Sequence, residues 1–166
     1  YGVLGPSPAH HPLRILIDAE KGRNMLGSYV KAAGHSPEGW LPMFPTVAGD
    51  LAFMNGNHSI VSIYDAYCKG MDGIMLEEAF EVAKKTLMEK SLLPWRRIYA
   101  NELDEFYKAN GNFPSLYQDE EETCPDVDGL ERRQSVAITL GDSYDSWGLA
   151  QMARALGKDE DDRYFL

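Results

Sequence analysis

The sequence has 166 residues, of which 44% are hydrophobic and 25% are charged, and its formal net charge is -10. This length and composition predict one packed domain rather than a disordered chain. The negative charge and the lack of a stripe of Lys and Arg exclude an ordinary nucleic-acid-binding protein. No apolar run approaches the roughly 20 residues of a membrane span. The first residues lack the pattern of a signal peptide, so we expect either a processed chain or an excerpt.

The chain is expected to begin with an irregular lead-in at 1–10, because these residues are rich in Gly and Pro. A helix should follow, with its apolar residues on one face. That face comprises Leu13, Leu16 and Ile17. Asp18 is then expected to cap a second helix that Gly34 ends.

Residues 35–57 show no periodicity and contain many Pro, Gly and aromatic residues. This pattern predicts a long ordered loop, and such loops are often binding elements. Trp40 and Phe44, which are flanked by Pro, are suited to stack on the face of a pyranose ring. The alternative is that Trp40 anchors the loop in the core.

The second half is predicted to contain a helical hairpin at 60–87, a short helix from Asn101 to Lys108 and a longest helix from about Leu130 to Leu156. An apolar stripe marks the last of these helices, with Val136, Leu140, Tyr144 and Trp147. Because we find no β-hairpin signal, the predicted fold class is all-α, with antiparallel neighbours joined by long loops.

The residues that could carry chemistry give no complete catalytic or metal motif. The four histidines, His10, His11, His35 and His58, lack zinc-ligand spacing. No serine lies in a nucleophile elbow. The acidic runs at 119–122 and 159–162 are expected to be solvated loops or helix starts, and Cys68 and Cys124 allow at most one disulfide.

A polar run at Asn57, His58 and Ser59 precedes a predicted helix from Ser59 to Lys69. One interpretation is that Asn57 or Ser59 caps the helix. The other is that these side chains lie at the rim of a cleft, where a helix N-terminus suits sugar hydroxyls as well as anions. The run also fits the N-glycosylation pattern, which the expected helix makes incidental.

Several segments, in the same order, resemble glycoside hydrolase family 92. Residues 11–18 (HPLRILID) are similar to the family's HPLLTLIDPER segment, and 39–42 (GWLP) to its GWLPRW element. Residues 54–59 (MNGNHS) and 65–70 (DAYCKG) resemble MxGxHA...DAYxKG. Further matches are 77–80 (EEAF), 135–147 (SVAITLGDSYDSW) and 150–158 (AQMARALGK). The resemblance extends over nearly the whole chain.

The resemblance implies an (α/α)6 barrel after a β-sandwich, and calcium-dependent hydrolysis of terminal α-mannosides with inversion, as in an α-1,2-mannosidase. Twelve barrel helices need roughly 400 residues, whereas this chain is expected to contain only five or six helices. We therefore expect a single helical segment, 1–166, of a larger barrel whose other helices and β-sandwich are its partners. The segments that resemble EGNAWQY and GNDDxGxMSAW, with the catalytic carboxylates and the calcium, do not occur here. No catalytic residue and no metal ligand is therefore assigned to this chain.

The substrate-binding candidates that remain are Trp40, Asn57 and His58, and the expected substrates are mannose-containing glycans. Two departures from the family favour an alternative, a non-catalytic carbohydrate-binding or interaction module. The family's WDTxR run is replaced by residues 5–9, and the Arg of LPRW is Met43. Another carbohydrate-active (α/α) barrel is a third hypothesis. The expected location of the parent is secreted, periplasmic or at the cell surface, and the isolated chain is expected to associate or to be marginally stable.

Overall fold

A computed structural model describes residues 9–166 and confirms the all-α prediction, as part of a helical barrel. The helices in this range are α1 (His10–Ile17), α2 (Ala19–His35), α3 (Ser59–Cys68), α4 (Leu76–Glu89), α5 (Glu102–Asn110), α6 (Ser135–Ala155) and α7 (Asp159–Phe165). Two short strands, β1 (Pro45–Thr46) and β2 (Gly49–Asp50), pair as an antiparallel hairpin. Residues 1–8 of the expected lead-in lie outside the described range, and His10 already belongs to α1.

Side chains at the helix ends explain several of these boundaries. The Asp18 carboxylate accepts a hydrogen bond from the backbone N–H of Lys21 at 3.2 Å, which confirms the predicted cap of α2. At α5, Asn101 accepts from the N–H of Leu103, and Asp104 accepts from the N–H of Asn101. Each cap satisfies backbone donors that the first helical turn leaves without partners.

The main core lies between α1, α2, α3, α4, α6 and α7. Helix α6 contacts α3, α4 and α7, while α1 packs on α2 and α3. The most deeply buried large side chains of this core are Leu26, Leu41, Ile60, Phe80, Leu149 and Met152. Each such side chain contributes roughly 1.5–3 kcal/mol through its removal from water, so this cluster fixes α6 against α3 and α4.

A second, smaller core holds the long connection between α4 and α6. It consists of Leu93, Leu103, Phe113, Cys124 and Ile138. Ile138 belongs to α6, so this cluster attaches α5 and the following loop to the same helix as the main core. Cys124 is buried and Cys68 is exposed, and both thiols are free.

Three sequence predictions need correction. There are seven helices in the described range rather than five or six, because Gly157, with φ +72°, separates α7 from α6. Helix α6 begins at Ser135 rather than Leu130, since Arg132 and Gln134 adopt positive φ angles that a helix does not allow. The β1–β2 hairpin was not expected, because two-residue strands are too short to show alternation.

The apolar stripes predicted for α1 and α6 do not face the core of this chain. Exposed residues in these stripes are Leu13, Leu16, Ile17, Val136, Leu140, Tyr144 and Trp147. The buried faces instead include His11 and Ile15 on α1, and Ile138, Asp145 and Leu149 on α6. Within residues 9–166, no helix is both long and apolar enough to cross a lipid bilayer.

Helices α3 and α6 pack tightly at Gly148. A Cβ atom at this position would lie 2.7 Å from Cγ2 of Val61. We expect Gly148→Val to lower the free energy of unfolding by about 1–3 kcal/mol, because the stiff Val61 side chain cannot move aside. Urea unfolding of the purified chain measures this loss.

A matched control is Gly27→Ala in α2, where the residue is half-buried and a Cβ would meet nothing within 4 Å. That variant should gain about 0.5–1 kcal/mol through helix propensity. Equal stabilities of Gly148→Val and the wild type would contradict the tight α3–α6 contact.

Candidate sugar-binding site

The predicted site residue His58 forms a buried pair with Asp145. His58 lies immediately before α3, and Asp145 lies on the inner face of α6. The imidazole Nδ1 is 2.6 Å from the carboxylate Oδ1, and the backbone N–H of Asn57 donates to the other carboxylate oxygen. The Asp145 side chain is fully buried, whereas 14% of the His58 side chain is exposed. Both oxygens of Asp145 therefore fix the loop before α3 relative to α6.

The His58 ring is held from several sides. A Cβ at Gly56 would lie 2.7 Å from Cε1 of the ring, and Gly56 has φ +79°, so this position requires glycine for two reasons. Gly141 on α6 lies next to the same edge of the ring, where a Cβ would be 3.6 Å from Cε1. Tyr144 contacts His58 edge to face, with 5.7 Å between the ring centroids. We call Asn57, His58, Tyr144 and Asp145 the His58 cluster.

Buried ionisable groups around Asp145 set the protonation of this cluster. Burial lowers the pKa of His58, but the hydrogen bond and charge of Asp145 outweigh it and raise the pKa above its ordinary value. Burial and the neighbouring Asp145 raise the pKa of Asp142 to about 7. Burial lowers the pKa of Lys90 to about 8, and its ammonium has no hydrogen-bond partner among the described residues. The protonated imidazole is therefore the form that the pairing favours.

Neither Asn57 nor Ser59 caps α3, so that prediction is wrong. His58 occupies the N-cap position without a side-chain cap, and the helix ends at Cys68 rather than Lys69. The Asn57 side-chain oxygen and the Ser59 hydroxyl are buried and have no hydrogen-bond partner within residues 9–166. Asn57 is 4% exposed, so its amide is not accessible as a glycosylation acceptor in this structure.

Trp40 is buried, with 1% of its surface exposed, which agrees with the core-anchor alternative. Its indole N–H donates to Glu89 at 3.2 Å, and the Arg97 guanidinium lies 5.6 Å from the ring centroid. The ring also meets Tyr99 edge to face at 4.9 Å. No face of Trp40 is open to a sugar in this chain, so Trp40 is separate from the His58 cluster.

Met43, which stands where the family has an arginine, is also buried. Met43 is 3% exposed, and its backbone N–H donates to Asp50 at 2.9 Å. Phe44 is half-buried, and its ring centroid lies 5.9 Å from that of Phe53.

Among residues 9–166, no three His, Cys, Asp or Glu side chains lie together in a way that could hold a metal ion.

Sequence reasoning identified His58 but missed Asp145, Asp142 and Lys90. Asp145 occurs in a matched segment, yet it lies 87 residues from His58 along the chain. The period of α6 places Asp142 and Asp145 on one face, three residues apart, which was the available signal. Two carboxylates in helical register with the apolar residues Ile138 and Leu149 indicate a buried polar contact.

Comparisons with known proteins support the same family. The profile of the glycosyl hydrolase family 92 catalytic domain matches residues 8–166. The GH92 alpha-mannosidase BT3965 from Bacteroides thetaiotaomicron has a similar structure, with a TM-score of 0.76 and 25% identity over 99% of this chain. It has also been solved in complex with mannoimidazole. The inverting GH92 mannosidase BT2199 from the same organism gives the same TM-score and identity.

The two solved relatives are much longer than this chain, which spans 19% of BT3965 and 20% of BT2199. No curated protein matches the sequence. The family match covers more than half of the chain, and the helical architecture agrees with it over nearly every residue. The chain belongs to glycosyl hydrolase family 92.

Proposed function

We propose that this chain forms part of the catalytic barrel of a larger α-mannosidase that hydrolyses terminal α-mannosides with inversion. The observation that carries the proposal is the family match over residues 8–166, together with two solved mannosidases that share its fold. An α-1,2-mannosidase-like preference and a secreted, periplasmic or cell-surface location belong to the same proposal. The substrates would be mannose-containing glycans.

In this proposal the His58 cluster forms part of the wall of the sugar-binding cleft. Asp145 holds the imidazole in one orientation and favours its protonated form, in which both ring nitrogens are donors. Charge-assisted donors of this kind form strong hydrogen bonds to sugar hydroxyls. The proposed role of His58 is therefore binding and orientation of a mannose ring, while Asp145 acts as a positioning residue.

Inverting hydrolysis needs a protonated acid and a base about 6.5–9.5 Å apart, with a water molecule between the base and the sugar. Both oxygens of Asp145 are occupied by His58 and Asn57, so Asp145 is unsuited to either role. We propose that both catalytic carboxylates lie on other parts of the full-length polypeptide. We propose that the calcium ligands also lie there, because no three His, Cys, Asp or Glu side chains within residues 9–166 lie together in a way that could hold a metal ion.

The test is hydrolysis of a panel of α-linked mannobioses by the full-length polypeptide, with calcium and with a chelator. We expect calcium-dependent release of mannose, with β-mannose as the first anomer seen by proton NMR, because inversion converts an α-linkage into a β-product. α-Mannose appearing first would contradict inversion. Release that is unaffected by the chelator would contradict the calcium requirement.

The second candidate is a non-catalytic carbohydrate-binding or interaction module. It is favoured by Met43, which stands where the family has an arginine and is buried. It predicts that the full-length polypeptide binds α-mannosides without cleaving any linkage. Absence of mannose release across the panel, with retained binding, would support this module over the enzyme.

A further inference from the structure

A cavity of about 580 Å³ lies in the loop between α5 and α6, outside the His58 cluster. Its lining includes the apolar side chains of Leu116 and Val127, the aromatic ring of Tyr117, and the polar groups of Glu120, Arg132 and Gln134. This volume is within the usual range for ligand pockets, and apolar walls with a few polar groups are their usual composition.

The loop around this cavity is held in one conformation by charged groups. Arg133 binds Glu122 through two hydrogen bonds of 2.6 and 2.7 Å. The Asp128 carboxylate accepts from the backbone N–H groups of Leu130 and Glu131. These contacts fix the walls in advance, which reduces the entropy lost when a ligand binds.

One hydrogen bond joins the cavity to the loop that carries His58. Gln134, which lines the cavity, accepts a hydrogen bond from the Asn55 amide at 3.0 Å. Asn55 precedes His58 by three residues, and three extended residues span at most roughly 11 Å. A chain of sugars that touches His58 can therefore extend towards this cavity.

The free groups in the cavity indicate the chemistry of its ligand. Tyr117 is 83% exposed, and the Arg132 guanidinium pairs with no carboxylate in the described part of the chain. Glu122 pairs with Arg133, and Asp128 pairs with Arg96, so neither carboxylate is available to Arg132. An open aromatic ring and an unpaired guanidinium in the same lining suit a ligand with one apolar face and several hydroxyls.

We propose that this cavity is a distal subsite, which binds a sugar of the glycan beyond the terminal two. Tyr117 stacks on the face of that sugar, and Arg132 donates hydrogen bonds to its hydroxyls. The inference rests on the proposed function and extends it, because the subsite makes the enzyme prefer longer glycans to disaccharides.

The test compares kcat/KM for α-mannobiose and linear α-mannotetraose in the full-length polypeptide and in its Tyr117→Ala and Arg132→Ala variants. Both variants should lose about 5- to 10-fold on the tetrasaccharide, which is roughly 1–1.4 kcal/mol of transition-state binding, and keep the wild-type value on the disaccharide. Tyr164→Ala is the matched control, because Tyr164 is a similarly exposed tyrosine on α7. Equal kcat/KM values for all variants on both substrates would overturn the subsite.

The same variants distinguish failure of the subsite from failure of the proposed mannosidase activity. If the wild type releases no mannose from either substrate, isothermal titration with α-mannotetraose replaces the kinetic measurement. Weaker binding by Tyr117→Ala than by wild type and Tyr164→Ala would support the subsite in a non-catalytic protein. Absence of binding by the wild type, or equal binding by all variants, would overturn it.

Discussion

Replacing Asp145 with Ala is expected to lower the free energy of unfolding by about 3–5 kcal/mol. The variant removes the carboxylate that accepts from the His58 imidazole and from the backbone N–H of Asn57 in a buried environment. Such a loss is a large part of the roughly 5–15 kcal/mol by which a domain is stable. Urea unfolding of wild type and variant, followed by circular dichroism, measures the difference.

Asp65→Asn is the control for this prediction, because Asp65 also pairs with a cation but does so at the surface. Its carboxylate lies 2.5 Å from the Lys69 ammonium, and about a third of its side chain is exposed. Exposed pairs contribute less than about 1 kcal/mol, so this variant should be close to wild type. Similar losses for Asp145→Ala and Asp65→Asn would contradict the assignment of a buried structural pair.

The Asp145→Asn variant adds a dependence on pH. Since the pKa of His58 is raised in the folded state, its stabilising contribution is complete below the unfolded value of about 6.5 and is lost as pH rises through the folded-state pKa. The stability difference between wild type and Asp145→Asn should therefore shrink as the pH rises above about 6.5. A difference that stays constant over this range would show that the charge of His58 does not contribute.

Replacing Trp40 with Ala is the other change with a large expected effect, again about 3–5 kcal/mol. Trp40 is among the largest fully buried side chains, and its indole N–H, Arg97 and Tyr99 contacts would all be lost. The loss should appear in urea unfolding of the chain, while the sugar affinity of the folded full-length polypeptide should change little.

Trp147→Ala provides the matched control, since 44% of Trp147 is exposed and it stacks on Tyr144. Its loss should be less than half of that for Trp40→Ala, because less apolar surface returns to water. If Trp40→Ala kept wild-type stability and lost sugar affinity, Trp40 would be a sugar-stacking residue as the sequence first indicated.

The sequence was a good guide to features that depend on neighbouring residues. The Asp18 cap and the helical hairpin at 60–87 follow from local chemistry, and the structure has them. The family resemblance was also readable, because several segments agree in order. Predictions for which residues are buried were weaker, since a stripe such as Val136 and Leu140 shows only that a helix is amphipathic.

The pairing of His58 with Asp145 could not be read from the sequence. The two residues are 87 positions apart, and nothing in the local pattern says that a given carboxylate on α6 faces one imidazole. The burial of Trp40 could not be predicted for the same reason, because its contact with Glu89 joins residues 49 positions apart. Contacts of this kind depend on tertiary packing, which local propensity does not determine.

The tight approach of α3 and α6 at Gly148 has a consequence for folding order. Gly148 lies one helical turn from Asp145, so the contact that docks the two helices also brings the carboxylate to His58. His58 and Asp145 are 87 residues apart, and closing a loop of this length carries an entropic cost. This cost is offset only when the two helices pack against each other. We therefore expect the loop before α3 to acquire its shape in the same cooperative step that completes the core.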